Sequence, residues 1–412
     1  METALRRGVF LIAACCAGLI ARGLGVPLPW MIGAMVLTAT LGLSGFHPPV
    51  HPFYRPVGQT IVATALGLYF TDEALTEVLV HGWLMLAAAM LTIAAGFIAA
   101  VVLVRLSGTD GTTAFFASLP GGPVEMAILA EHFGVPGGPV ALAQTFRIAK
   151  IVLLVAPALL LWQHAARFVF RPEHAIEPGG LVLLYGAAVM AALLLKWRRV
   201  PNAFFLGPVA VAALLTVSGV ALSGIPAPLL FAGQILLGTS LGSRFDRDKL
   251  AGCGRFILAA FASTAVLLAL CMLVAVGVWL ISGTPLPALI VATAPGSVTE
   301  MALTARAVQQ SVAMVIAYHL IRIFIIIPAA APLYRLFRAL TSTIVSFPQP
   351  VERTALRSRR AMRRSDSHSG PATNTTTASR HTGGSIRPLS YPAVSASGYP
   401  GLPDKTLDLK VG

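Results

Sequence analysis

Charge is what this chain has least of. Only 11% of its 412 residues are Asp, Glu, Lys or Arg, against roughly 25% in soluble domains, too few to face water on every side. Acid is scarcer still: 16 Asp and Glu stand against 30 Lys and Arg, a formal net charge of +14. That excess forms no stripe suited to a nucleic-acid groove. Ten Lys/Arg and four Asp/Glu fall from Ser346 onward, leaving +6 on a Ser/Pro/Thr-rich tail. Most other basic residues flank apolar runs, the pattern of cytoplasmic anchoring, so no nucleic-acid partner is expected. The four cysteines, Cys15, Cys16, Cys253 and Cys271, lie in or beside apolar segments without metal-ligand spacing, which argues against a disulfide framework or redox centre. The nine histidines are scattered, so neither a metal nor a cofactor is expected. Without a Ser/His/Asp arrangement or a phosphate-cradling loop, the chain reads as a non-enzyme.

Apolar residues are abundant, at 56%. The runs Trp83 to Val104, Ile148 to Trp162 and Phe256 to Ile281 approach or exceed the roughly 20 residues that cross a bilayer. The expected class is an all-α integral membrane protein, multi-pass, with membrane lipid as a partner. The start resembles a signal peptide, with Arg6-Arg7 before the apolar stretch Gly8 to Ile20. Its counterpart Leu181 to Leu195 is internal, so the first helix is expected to be retained.

The chain repeats itself about 175 residues on. Pro120-Gly121-Gly122-Pro123-Val124-Glu125-Met126-Ala127 returns as Pro295-Gly296-Ser297-Val298-Thr299-Glu300-Met301-Ala302. Gly58-Gln59, Thr64, Leu66-Gly67 and Phe70 return as Gly233-Gln234, Thr239, Leu241-Gly242 and Phe245. Val26-Pro27 and Gly33 return as Val200-Pro201 and Gly207, one residue out of step. This reads as a duplication: membrane repeat 1 over 8–163, a connecting loop over 164–180, membrane repeat 2 over 181–341, and a disordered basic cytoplasmic tail over 342–412. The apolar elements are expected near 8–22, 29–46, 56–70, 79–105, 111–132 and 137–163, then 181–195, 203–222, 229–244, 254–282, 285–305 and 308–335. The fifth of each half is interrupted by Pro and Gly.

Loop charge sets the orientation. The loop Thr71 to Glu77 is acidic, whereas its match Arg244 to Lys249 is basic. Arg105 follows the fourth element of the first half, and its match, Ser282 to Pro285, carries no charge. Matching loops thus differ in cytoplasmic preference, which predicts two inverted repeats of about five transmembrane helices, each with a broken or re-entrant segment. Both termini would be cytoplasmic. This topology leaves Arg167 and Arg171 outside; twelve crossings in parallel repeats is the alternative.

Two motifs carry the candidate site. The breaks Pro120-Gly121-Gly122 and Pro295-Gly296-Ser297 would leave backbone tolerated at membrane depth only inside protein or beside a wet cavity. Helices starting there point positive ends into that cavity. Glu125 and Glu300 either serve as functional carboxylates or cap those helices, Ser297-x-x-Glu300 fitting a capping box. Gln144, Arg147 and Lys150 share one helix face, matched by His319, Arg322 and Ile325. The buried arginines call for a carboxylate, carbonyls or an anionic substrate. Three bases, Arg147, Lys150 and Arg322, against two acids favour an anion, unless Lys150 snorkels. Gln59 and Gln234 either bond across closely packed helices or line the substrate path.

The combination Val-Pro-x5-Gly, Gly-Gln, Pro-Gly-x-x-x-Glu-Met, and Arg147 and Arg322 each followed ten residues later by Pro, resembles the duplicated bacterial membrane family labelled AbrB. That family also carries an ammonia monooxygenase label. The resemblance spans about residues 8–340 and implies a bacterial inner (plasma) membrane protein without a firmly assigned activity. The labels imply regulation of gene expression or oxygenase chemistry. The residues themselves favour a transporter or permease of a small solute or ion, with Glu125, Glu300, Arg147, Arg322, Gln59, Gln234, His319 and Gln144 around a midplane site. A homo-oligomer is left open.

Overall fold

The computed structural model describes residues 2–163, 175–220, 222–343 and 345. Among these, every regular element is a helix. The first half holds α1 (Glu2–Gly23), α2 (Pro29–Leu43), α3 (Tyr54–Gly67), α4 (Asp72–Val80), α5 (Gly82–Ser107), α6 (Gly111–Ser118), α7 (Pro123–His132) and α8 (Gly137–Gln163). The second holds α9 (Pro178–Trp197), α10 (Ala203–Val217), α11 (Ala227–Gly242), α12 (Arg247–Leu250), α13 (Gly254–Ser282), α14 (Leu286–Thr293), α15 (Val298–Ala307), α16 (Val312–Ile326) and α17 (Ala330–Thr341). The expected tail from residue 346 onward, Arg167 and Arg171 lie outside the described residues.

Among the described residues four helices are long and apolar enough to cross a membrane, namely α5, α8, α9 and α13, and a fifth span appears if the bent pair α16–α17 counts as one. This is the make-up of a multi-pass membrane protein, though fewer helices meet that length than the ten crossings expected. Four of the expected crossings fall short in length: α2, α3, α10 and α11 have 14–16 residues. At about 1.5 Å per residue they rise roughly 21–24 Å, short of a hydrocarbon core of about 30 Å.

Local chemistry sets the boundaries. Asp110 caps α6 by accepting from the Thr113 N–H at 2.9 Å, satisfying a first-turn donor that has no partner within the helix. α5 and α13 end at Gly108 (φ 75°) and Gly283 (φ 67°), in the left-handed region where glycine is at ease. Positive φ recurs at matched places elsewhere: Leu28 with Asn202, Gly25 with Arg199, Gly45 with Gly219, and Gly134 with Gln309.

Two sequence expectations needed correction. The acidic stretch Thr71 to Glu77 is largely helix α4, because Thr71 caps it and Asp72 and Glu73 suit its positive end. The element expected over 308–335 is broken into α16 and α17 by a 76° bend. The break contains Pro328, which removes a backbone donor. Its counterpart α8 runs unbroken past Pro157.

Close helix contacts explain the glycines of the repeated motifs. A Cβ on Gly33 would lie 2.4 Å from the Ala17 carbonyl oxygen, and one on Gly207 would lie 2.6 Å from the Ala192 nitrogen. α2 and α10 can therefore lie directly on the preceding helices. α2 also packs on α11 and α3 on α10, while α3 and α11 cross where a Cβ on Gly58 would fall 2.8 Å from the Gly233 oxygen. A second set of contacts joins α5 to α13 and α16, and α8 to α13 and α15.

Candidate functional site

Both interrupted segments are pairs of short helices, α6–α7 and α14–α15, meeting at Pro120-Gly121-Gly122 and Pro295-Gly296-Ser297. α6 and α14 have eight residues each and α7 and α15 ten. At roughly 12 and 15 Å, none can cross a bilayer alone. The last carbonyls of α6 and α14 have no intrahelical donor, and leaving them bare in an apolar interior is costly.

Side chains from α8 and α16 supply those donors. Arg147, 2% exposed, donates to the carbonyls of Leu119 at 2.9 Å and Gly121 at 3.0 Å, and more distantly to Ser118 at 3.5 Å. One turn earlier, Gln144 donates to Phe116 at 2.7 Å and Leu119 at 2.9 Å, and its Oε1 accepts from Arg147. Arg322 repeats the arrangement more loosely, reaching Ala294 at 3.2 Å and Thr293 and Gly296 at 3.4 Å. His319 stands where Gln144 does, its Nδ1 3.0 Å from the Val315 carbonyl oxygen.

The carboxylates do not join them. Neither Arg147 nor Arg322 is ion-paired to a carboxylate among the described residues, so carbonyls, one of the three partners the sequence allowed, neutralise the site in part. Glu125 is half-buried and folds back over Gly122, where a Cβ would meet its Oε2 at 2.0 Å. Glu300 cannot copy this, because Ser297 carries the Cβ that Gly122 lacks. It is instead 2% exposed, and its Oε2 meets no donor. The capping box is not closed either: Ser297 accepts no bond from the first turn of α15.

Gln59 donates to the Asn202 side chain at 3.1 Å, tying α3 to the start of α10. The residue matching Asn202 is Leu28, which offers no such group, and Gln234 keeps a buried Oε1 without a donor. Both glutamines are 5% exposed and lie within packed helix pairs.

The sequence reading missed a recess beside Arg147. Leu103, Ala117, Ala143, Ala260 and Leu267 wall it, and Ser118, Ser263 and Thr264 add hydroxyls. It has room for about one water. The Ser118 hydroxyl and Arg147 Nε are buried without partners. A weak signal existed: Ser263 and Thr264 are adjacent hydroxyls in an otherwise apolar run. The sequence also showed no converging ligand set, yet His47 Nε2 lies 3.7 Å from Asp248 and 3.9 Å from Asp246. This group is largely exposed and remote in sequence from the helix breaks.

Comparison with known proteins places these features in a family. The chain is 27% identical over 364 residues to "Uncharacterized protein YhjN" of Bacillus subtilis (strain 168), covering 82% of this chain and 95% of that one. It is 24% identical over 308 residues to "Putative regulator AbrB" of Escherichia coli (strain K12), covering 73% of this chain and 88% of the relative. The family model described as "Transition state regulatory protein AbrB" matches residues 30–338, well over half of the chain and inclusive of both helix breaks. The chain therefore belongs to the AbrB family.

Proposed function

We propose that this protein is a secondary transporter of a small anionic solute in the bacterial inner membrane, with two oppositely oriented halves and both termini cytoplasmic. One observation supports the reading: each broken segment hangs on a buried arginine that no carboxylate among the described residues neutralises. Broken helices joined at midplane are how many secondary transporters bind solute, and uncompensated cations in an apolar interior attract an anion. The hydroxyl-lined recess beside Arg147 is the candidate entry to that charge. Lys150 is not part of it, since its Nζ donates to the Phe261 carbonyl oxygen at 2.8 Å. Glu300 is the candidate for binding a coupling ion, because its side chain is buried beside the break and one of its carboxylate oxygens meets no donor. Purified protein in proteoliposomes, screened for uptake of inorganic and small organic anions, tests this. Uptake that is absent throughout, or unaffected by Arg322→Gln and Ser263→Ala, would sink it.

The family description and the name of the Escherichia coli relative favour a second reading, a membrane-bound regulator of gene expression acting through the basic segment after Ser346. Deleting residues 346–412 separates the two: regulation should be lost and transport kept. A membrane oxygenase would instead require stoichiometric copper or iron in the purified protein.

A further inference from the structure

The two broken segments keep the same internal contacts but sit differently in the molecule. α15 packs on α3 and α8, α16 packs on α3 and α4, and every residue of α15 is buried. At the matched places, α7 buries only Pro123, Met126 and Ala130 and leaves Val124 and Ile128 41% and 48% exposed. Among the described residues α7 makes no comparable packing on α11 or α12, while α8 meets the end of α11 through Thr145 and through Phe146, whose ring lies 5.0 Å from that of Phe245. The break itself is built alike in both copies. The difference is therefore one of position: α15 is docked and α7 is not.

Two polar contacts hold the docked side. The Arg306 guanidinium lies 5.3 Å from the centroid of the Tyr69 ring, just past the end of α3, a cation–aromatic attraction. Ser311 donates to Glu77 of α4 at 3.3 Å. Carried to the other half at the register of the repeated motifs, Arg306 becomes Glu131 and Tyr69 becomes Arg244. The residue types change on both elements, yet the pair stays complementary, cation with ring on one side and acid with base on the other. In this structure Glu131 is exposed, its Oε1 against Gly137, while Arg244 donates to Thr145 of α8 at 3.2 Å.

Resting on the transporter reading, we propose that this is one of two end states, and that in the other α7 docks on the end of α11 through a Glu131–Arg244 ion pair while Arg306 leaves Tyr69. Mutual contacts among α5, α8, α13, α15 and α16 make them one body against α1–α3 and α9–α11. Tilting such a body onto one end opens the other, a hinge or shear closure. The two gate pairs are then mutually exclusive.

Cysteine pairs in the full chain, with Cys15, Cys16, Cys253 and Cys271 replaced, test this in membrane vesicles with a flexible bifunctional thiol crosslinker, since contacts between the tips of long side chains leave the backbones farther apart than a disulfide reaches. Tyr69→Cys with Arg306→Cys reports the state described here and confirms folding. Minor states of this kind hold roughly 0.1–10% of molecules, so a Glu131→Cys/Arg244→Cys bond should accumulate with time, well above a Tyr69→Cys/Glu131→Cys control. A chain carrying all four cysteines should form one bond or the other, never both. The idea fails if the Glu131–Arg244 bond stays at control level, if both bonds form in one molecule, or if the Tyr69–Arg306 bond never forms. Crosslinking requires no solute, so a protein that alternates but carries nothing sinks the transport reading alone. One that carries an anion while Glu131 and Arg244 never meet sinks only this gate.

Discussion

Met126 is folded against Gly121 so closely that a Cβ on that glycine would lie 2.7 Å from the Met126 Cε, and Met301 occupies the same place over Gly296. Both methionines are fully buried. The break glycine and the methionine five residues later thus form one packing unit, which explains why the motif carries both.

Gly121→Ala and Gly296→Ala should each destabilise the protein by about 1–3 kcal/mol through overpacking. Pairing Gly296→Ala with Met301→Ala should cost less than the sum of the two single changes, because the smaller side chain makes room. Thermal unfolding in detergent reads this, and strict additivity would contradict the packing account.

Arg147→Gln should destabilise more than Arg322→Gln. Arg147 makes contacts of 2.9 and 3.0 Å with the end of α6, while the best Arg322 contact to the end of α14 is 3.2 Å. Each carbonyl left bare costs about 1–3 kcal/mol. Denaturation midpoints of the two variants decide it, and the reverse order would show that the arginines are held mainly for a ligand.

Glu300→Gln should leave the unfolding temperature unchanged or higher, since the amide keeps the shape and removes a buried charge with an unpartnered oxygen. Solute uptake should fall at least about tenfold, equivalent to about 1.4 kcal/mol. Glu125→Gln should change neither stability nor uptake, because its carboxylate is half-exposed over Gly122. Uptake that survives Glu300→Gln would remove that residue from the coupling step.

Reporter fusions at Thr76 and Asp248 should fall in opposite compartments if matching loops face opposite sides of the bilayer. A shared compartment would overturn the inverted arrangement and return the choice to parallel repeats.

Much of this was open to the sequence because it is written locally. Low charge and long apolar runs define the membrane class, Pro-Gly clusters mark both breaks, and spacing of three places Gln144 and Arg147 on one helix face. The partners of those arginines were not open to it. The carbonyls that Arg147 holds come from a helix end 26–29 residues earlier in the chain, and any of three partner types satisfied the same demand for charge compensation. The bend after Ile326 was missed because Pro328 and Pro332 both signal a break, while Pro157 shows that a helix can pass through one.

By itself, then, the sequence determined helices, their breaks and a register shared by both halves, since these follow from hydropathy, proline and glycine acting over a few residues. Only the tertiary structure decided that Glu300 is buried with one oxygen lacking a donor while Glu125 folds over Gly122, and that α15 is docked while α7 is not. Nearly identical local motifs are compatible with either position. What separates them is the sum of weak contacts with α3, α4 and α8, made by residues far apart along the chain.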